Sequence, residues 1–176
     1  DSKLLSVFYF SEFFFTTGIL CILLFSLFIK KNVFNKASLL SVILLIIVFV
    51  LVIKDTKISF GFYSNFFKSS SFFLFFKLLI ILGSISSITI SINFFNELKL
   101  KRFEIPILIL FSTLGMMILI SSNNLMSMYL GIELQSLSLY VLATIKRDSI
   151  KSAESGVKYF VLGALSSGIL LYGCSL

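Results

Sequence analysis

Residues Ala37–Ile53 read ASLLSVILLIIVFVLVI, a run with no charge, glycine or proline. A helix that crosses the hydrocarbon core of a bilayer needs about 20 mostly apolar residues, and this run with its flanks reaches that length. Five further runs lie around it, at Val7–Ile29, Phe72–Phe95, Ile105–Ser121, Leu125–Ile145 and Ala153–Cys174. All are continuous, without the alternation over about ten residues that a transmembrane strand requires. In lipid every backbone polar group must be bonded within its own segment, so helices follow. The expected fold is all-α, a polytopic bundle of about six membrane-spanning helices, with residues 1–176 forming one transmembrane domain.

Composition excludes the alternatives. Of the 176 residues 58% are hydrophobic and only 13% charged, against about 25% charged in an ordinary globular protein. A water-soluble domain could not cover its surface with so little charge, and 22 Phe exclude a solvated, disordered chain. The net charge of +7 comes from 15 Lys+Arg set in short clusters between the apolar runs. No basic stripe is interleaved with stacking aromatics, so nucleic acid is not an expected partner, whereas membrane lipids are. There is no histidine and no CxxC; Cys21 and Cys174 each sit inside an apolar run and read as small buried hydrophobes. A zinc, haem or histidine-based site has nothing to be built from.

The links are short. Lys54–Ser71 is the longest, and its stretch Ile58–Lys68, ISFGFYSNFFK, reads as an amphipathic segment lying in the interface. Pro106 falls where a first helical turn tolerates proline. The first run lacks a basic lead-in and a cleavage site, so no cleavable signal is expected; the chain begins with Asp1, so its start reads as processed or incomplete. The side holding the one–two, three–four and five–six links carries nine Lys+Arg, the other side four. The richer side is expected to face the cytoplasm or matrix, with both chain ends on the opposite side.

A charge at the centre of a bilayer costs about 2.5–3.5 kcal/mol on insertion scales and is a functional candidate by default. Glu133 lies about 18 Å of helix rise from the inner end of the fifth run, with Tyr129, Ser136 and Tyr140 on its face as possible supporting groups. A carboxyl group that is costly to charge is one that can trade protons. The competing reading is a hydrogen-bonded strut between helices. Lys158 lies about 8 Å inside the sixth run; it either works as a proton group or snorkels to the surface, and Glu154 is placed to pair with it at i, i+4. Glu133 and Lys158 differ in depth by about 10 Å, so a relay through polar groups is expected in place of a direct bond. Glu12 and Lys77, each about one turn inside a run, read as snorkelling side chains or boundary residues. Gly83 with Ser84, Ser86, Ser87 and Ser91, and Gly163 and Ala164 with Ser167 and Gly168, read as close-packing faces.

Two segments of the last third carry a family resemblance. LISSNNLMSMYLGIELQSLSLYVLA, residues 119–143, and KYFVLGALSSGILLYG, residues 158–173, resemble the subunit 2 branch of the antiporter-like family of respiratory complex I, the proton-translocating NADH:ubiquinone oxidoreductase. The resemblance is close from Leu114 to Leu176; before that only the helix pattern matches. It implies that the glutamate of LGIELQSL, Glu133, is a proton-channel residue and that Lys158 lies along the proton path. It implies a catalytic role for no residue here, with NADH, flavin, iron–sulfur clusters and ubiquinone bound by other subunits of the membrane and peripheral arms. Full-length family members continue for further helices, one bearing a lysine that partners the fifth-helix glutamate. Either a separate polypeptide supplies those helices, from a split gene, or the sequence is incomplete. Abundant Phe, Ile, Leu, Ser, Lys and Asn with no tryptophan fits an AT-rich organellar genome, hence a mitochondrial inner membrane with both ends toward the intermembrane space. A plastid relative, a stand-alone cation/proton antiporter and a pumping-incompetent scaffold of the membrane arm are the alternatives.

Overall fold

The computed structural model describes residues 10–28, 33–55, 71–98, 100, 102–146 and 149–175. The interfacial segment expected at Ile58–Lys68 lies outside them. Among the described residues there are six helices and no strand: α1 Phe10–Phe28, α2 Val33–Asp55, α3 Ser71–Glu97, α4 Glu104–Ser121, α5 Leu125–Ala143 and α6 Ile150–Ser175. Each holds a stretch long and apolar enough to span a bilayer. The observed ends fall within about four residues of the expected spans, the usual scatter of a boundary read from sequence. Pro106 is the third residue of α4, where its missing N–H has no intrahelical acceptor to satisfy.

The core is built by α1–α4. Ser11, Phe15, Ile19, Ile22 and Ser26 of α1 are buried, as are Ile107, Leu110, Leu114, Met117 and Ser121 of α4. Both series step by three or four residues, which lines one face of a helix. They meet Leu44, Leu45, Val48 and Val52 of α2 and Ile81 and Ile88 of α3. The buried hydroxyls are satisfied within their own helices. Ser41 Oγ donates to the Ser38 carbonyl at 2.7 Å, Ser84 Oγ to Ile81 at 2.8 Å and Thr113 Oγ1 to Leu110 at 2.8 Å. Such back-bonding lets small polar residues sit in an apolar interior without an orphaned donor.

Helix α2 packs on α1, α3 and α4, and α4 packs on α1, α2, α3 and α5. Helix α5 is joined to α4 by the uncharged turn 122–124 and lies tightly along it, while the extended packing of α6 among the described residues is on α5. At the crossing of α4 and α5 two glycines face each other. A Cβ on Gly131 would lie 2.9 Å from Leu119 N and 3.0 Å from the Gly115 carbonyl oxygen, and one on Gly115 would lie 2.7 Å from Gln135 N. The two backbones approach as closely as the absence of side chains permits.

Two expected packing faces differ in the structure. A Cβ on Gly83 or Gly168 would meet nothing within 4 Å. Of Ser84, Ser86, Ser87 and Ser91 only Ser84 is buried; Ser86 and Ser87 are exposed. Small residues permit close approach but do not say which neighbour arrives, and among the described residues no helix lies against Gly83 or Gly168. Gly163 does pack: a Cβ there would run into the Tyr140 hydroxyl.

Candidate functional site

Glu133 is half-buried in the middle of α5. The start of that helix is set by Ser127, whose hydroxyl donates to the Asn124 carbonyl at 2.9 Å and accepts from the Asn124 N–H at 3.4 Å. From there two turns of helix carry the chain to Glu133, about 12 Å from the α5 start. Ser136 stands one turn on and gives its hydroxyl to the Glu133 backbone carbonyl at 3.0 Å. Tyr129 is half-buried one turn before. Among the described residues no ion pair and no hydrogen bond reaches the Glu133 carboxylate.

Tyr140 is buried, 9% exposed, and turned toward α6. Its ring meets Tyr159 edge-on at 4.7 Å between centroids and Phe160 at 5.9 Å. Together with Gly163 these form the α5–α6 contact, which continues as Ser152 Oγ donating to the Ala143 carbonyl at 2.9 Å and as Gly156 against Thr144. Tyr140 therefore serves here as a packing group.

Lys158 pairs with Glu154 at 2.5 Å, one turn apart on α6. Their side chains are 69% and 57% exposed, and neither touches Glu133. The structure thus brings together Glu154 with Lys158 and Glu133 with Ser136, and it leaves those two groups apart. An ion pair so exposed contributes little to a fold, about 0.5 kcal/mol or less. Lys158→Met is accordingly expected to leave the thermal midpoint of the assembled protein within about 2 °C. A larger fall in a melting curve would show that Lys158 has a structural partner.

The reading of Glu12 and Lys77 as independent snorkelling residues is corrected. Lys77 Nζ donates to Glu12 Oε1 at 2.5 Å, with side chains only 13% and 17% exposed. Ser121 Oγ donates to the same oxygen at 3.1 Å. Each charge is neutralised by the other, so neither needs to reach water. The two residues are far apart in the chain, so no local pattern shows the pair. The available signal was depth: opposite charges stand about one turn inside the same end of two spans that run in the same direction.

The fold and these charges define a class, the multi-helix membrane proteins with an ionisable group held inside a span. Comparison with known proteins narrows it. Residues 122–176, which contain Glu133, Glu154 and Lys158, match the family described as "NADH:quinone oxidoreductase/Mrp antiporter, TM". The chain is 46% identical to NADH-quinone oxidoreductase subunit N of Bartonella bacilliformis over 159 residues, which is 90% of this chain and 32% of the relative. It is also 46% identical to the subunit N of Pelagibacter ubique over 168 residues, 94% of this chain and 35% of that protein. With subunit N 1 of Rhizobium meliloti it shares 51% over 114 residues, 65% and 24% of the two chains. The chain thus spans about a third or less of the length of these curated relatives. The first two alignments run well into the first hundred residues, where the sequence alone offered only a helix pattern.

Proposed function

We propose that this chain is the six-helix N-terminal part of an antiporter-like subunit in the membrane arm of an NADH:quinone oxidoreductase, and that Glu133 takes up and releases protons as the complex turns over. The observation that carries this is a carboxyl group in the middle of a membrane span, half-buried and without a counter-charge among the described residues. A strut would have a partner on a neighbouring helix; a group that must change charge is better served by one that comes and goes. The similarity of residues 122–176 to the oxidoreductase and antiporter family supports the same reading.

NADH, flavin, iron–sulfur clusters and quinone belong to other subunits in this proposal, which are also the chain's partners. The remaining helices of the subunit, whether on this polypeptide or a separate one, cover the exposed face of α6 and bring a cation toward Glu133. Lys158 serves the same path from α6. The distribution of Lys and Arg supports both ends facing outward, and the AT-biased composition supports the mitochondrial inner membrane.

The test is Glu133→Gln in the assembled, membrane-embedded complex, with electron transfer and proton pumping measured together. The expected result is normal assembly with the number of protons moved per electron reduced. Unchanged pumping in a normally assembled complex would assign the chain to the scaffold instead. Ion exchange by vesicles containing the chain without NADH oxidation would favour the stand-alone antiporter.

A further inference from the structure

We propose that Glu12, Lys77 and Ser121 form a three-helix tie, and that Glu12 and Lys77 are positioning residues that hold the α4–α5 hairpin, and so Glu133, against the rest of the bundle. The role assigned to the hairpin rests on the proposed function of Glu133; the tie itself does not.

One oxygen is the hub. Glu12 Oε1 of α1 accepts from Lys77 Nζ of α3 and from Ser121 Oγ of α4, and Ser11 Oγ approaches the second oxygen at 3.4 Å. Ser11 and Ser121 are both 3% exposed. Helices α1 and α3 have no extended packing with each other among the described residues; each rests on α2 and α4. Apolar packing therefore does little to fix α1 against α3 directly, and the ion pair is the specific bond that spans them. A buried pair is weak evidence for stability, because desolvation offsets its attraction, but it is directional and so suits the setting of relative position.

The location gives the tie its consequence. Ser121 is the last residue of α4 and is followed by the short turn into α5. Its hydroxyl also donates to the Met117 carbonyl at 2.9 Å, which holds it on its own helix. Helices α4 and α5 form one closely packed body, because Gly115 and Gly131 bring their backbones into contact. Fixing Ser121 against Glu12 and Lys77 therefore fixes the outer end of that body. Glu133 is carried at a set depth and rotation, where an error of about 1 Å matters to a proton path.

The experiment uses the full oxidoreductase in membranes. Glu12→Gln, Lys77→Met and the charge exchange Glu12→Lys with Lys77→Glu are compared for content of assembled complex and for protons moved per electron. The expected result is that each single variant lowers the proton-to-electron ratio of the complexes that do assemble. The exchange should restore both content and ratio, since the Ser121 hydroxyl can accept as well as donate. Lower content with an unchanged ratio in the surviving complexes would overturn positioning in favour of a plain structural bond. Unchanged content and ratio would overturn the tie altogether. If neither single variant assembles, the exchange decides: an assembled complex with a normal ratio supports the tie, and no assembly refutes it. Should Glu133→Gln leave the ratio unaltered, the Glu133 reading fails alone, and recovery of content by the charge exchange still reports on the tie.

Discussion

Gly131→Leu is expected to remove the chain from the membrane almost completely. The atoms that its side chain would strike belong to backbone, Leu119 N and the Gly115 carbonyl, and not to the tips of side chains that can swing aside. To make room, α4 and α5 would have to separate along their length. In lipid there is little gain in water release to hold them at a greater distance, since association there depends on close van der Waals contact. Even Gly131→Ala forces an overlap, and overpacking of a rigid site costs about 1–3 kcal/mol. Gly115→Ala should behave in the same way, because its Cβ would meet Gln135 N and the Gly131 carbonyl oxygen. Gly83→Ala is the matched control, a glycine on a spanning helix with open space around it. The measurement is the amount of chain retained in membranes, together with the thermal midpoint of what remains. Near-normal retention of the Gly131→Leu protein would mean that the two helices do not cross as closely as described.

The contrast between Gly131 and Gly83 shows how far the sequence could be read. Both lie in long, mostly apolar runs, and run length alone located their helices to within a few residues. What it could not tell is which glycine meets a neighbour. A helix that is apolar all round carries no stripe to mark its buried side. The lateral order of the helices is decided by contacts between residues distant in the chain, such as Gly115 with Gly131. Charges in spans were better signals, since each has to be explained by energy. Glu133 stands out for that reason. Glu12 and Lys77 were visible as charges too, but each viewed alone has an inexpensive escape to the surface, and only the fold brings them within bonding distance. Tyr140 shows the reverse limit. On a helical wheel it shares a face with Glu133, yet the structure uses its ring for packing against α6.

That placement leads to the second large effect: Tyr140→Ala is expected to detach α6. Among the described residues the extended packing of helix α6 is on α5, and few of its residues are covered at all. The contact consists of the Tyr140 ring with Tyr159, Phe160 and Gly163, then Gly156 with Thr144 and the Ser152 hydroxyl on the Ala143 carbonyl. Emptying a large aromatic site costs about 3–5 kcal/mol in a packed interior, and two edge-on ring contacts add about 0.5–1.5 kcal/mol each. The remaining hydrogen bond supplies about 1 kcal/mol and cannot replace that loss. Tyr140→Phe keeps the ring and all three aromatic centroids, so it should hold α6 as the parent does. The two variants together separate shape from hydroxyl chemistry. Protease accessibility of α6 in the assembled complex should rise in Tyr140→Ala and match the parent in Tyr140→Phe. If Tyr140→Phe instead preserves assembly but reduces proton pumping, the hydroxyl belongs to the path proposed through Glu133 as well as to the helix contact. If Tyr140→Ala leaves α6 protected, its position is fixed by the proteins around it, and the exposed Glu154–Lys158 face is then the surface they hold.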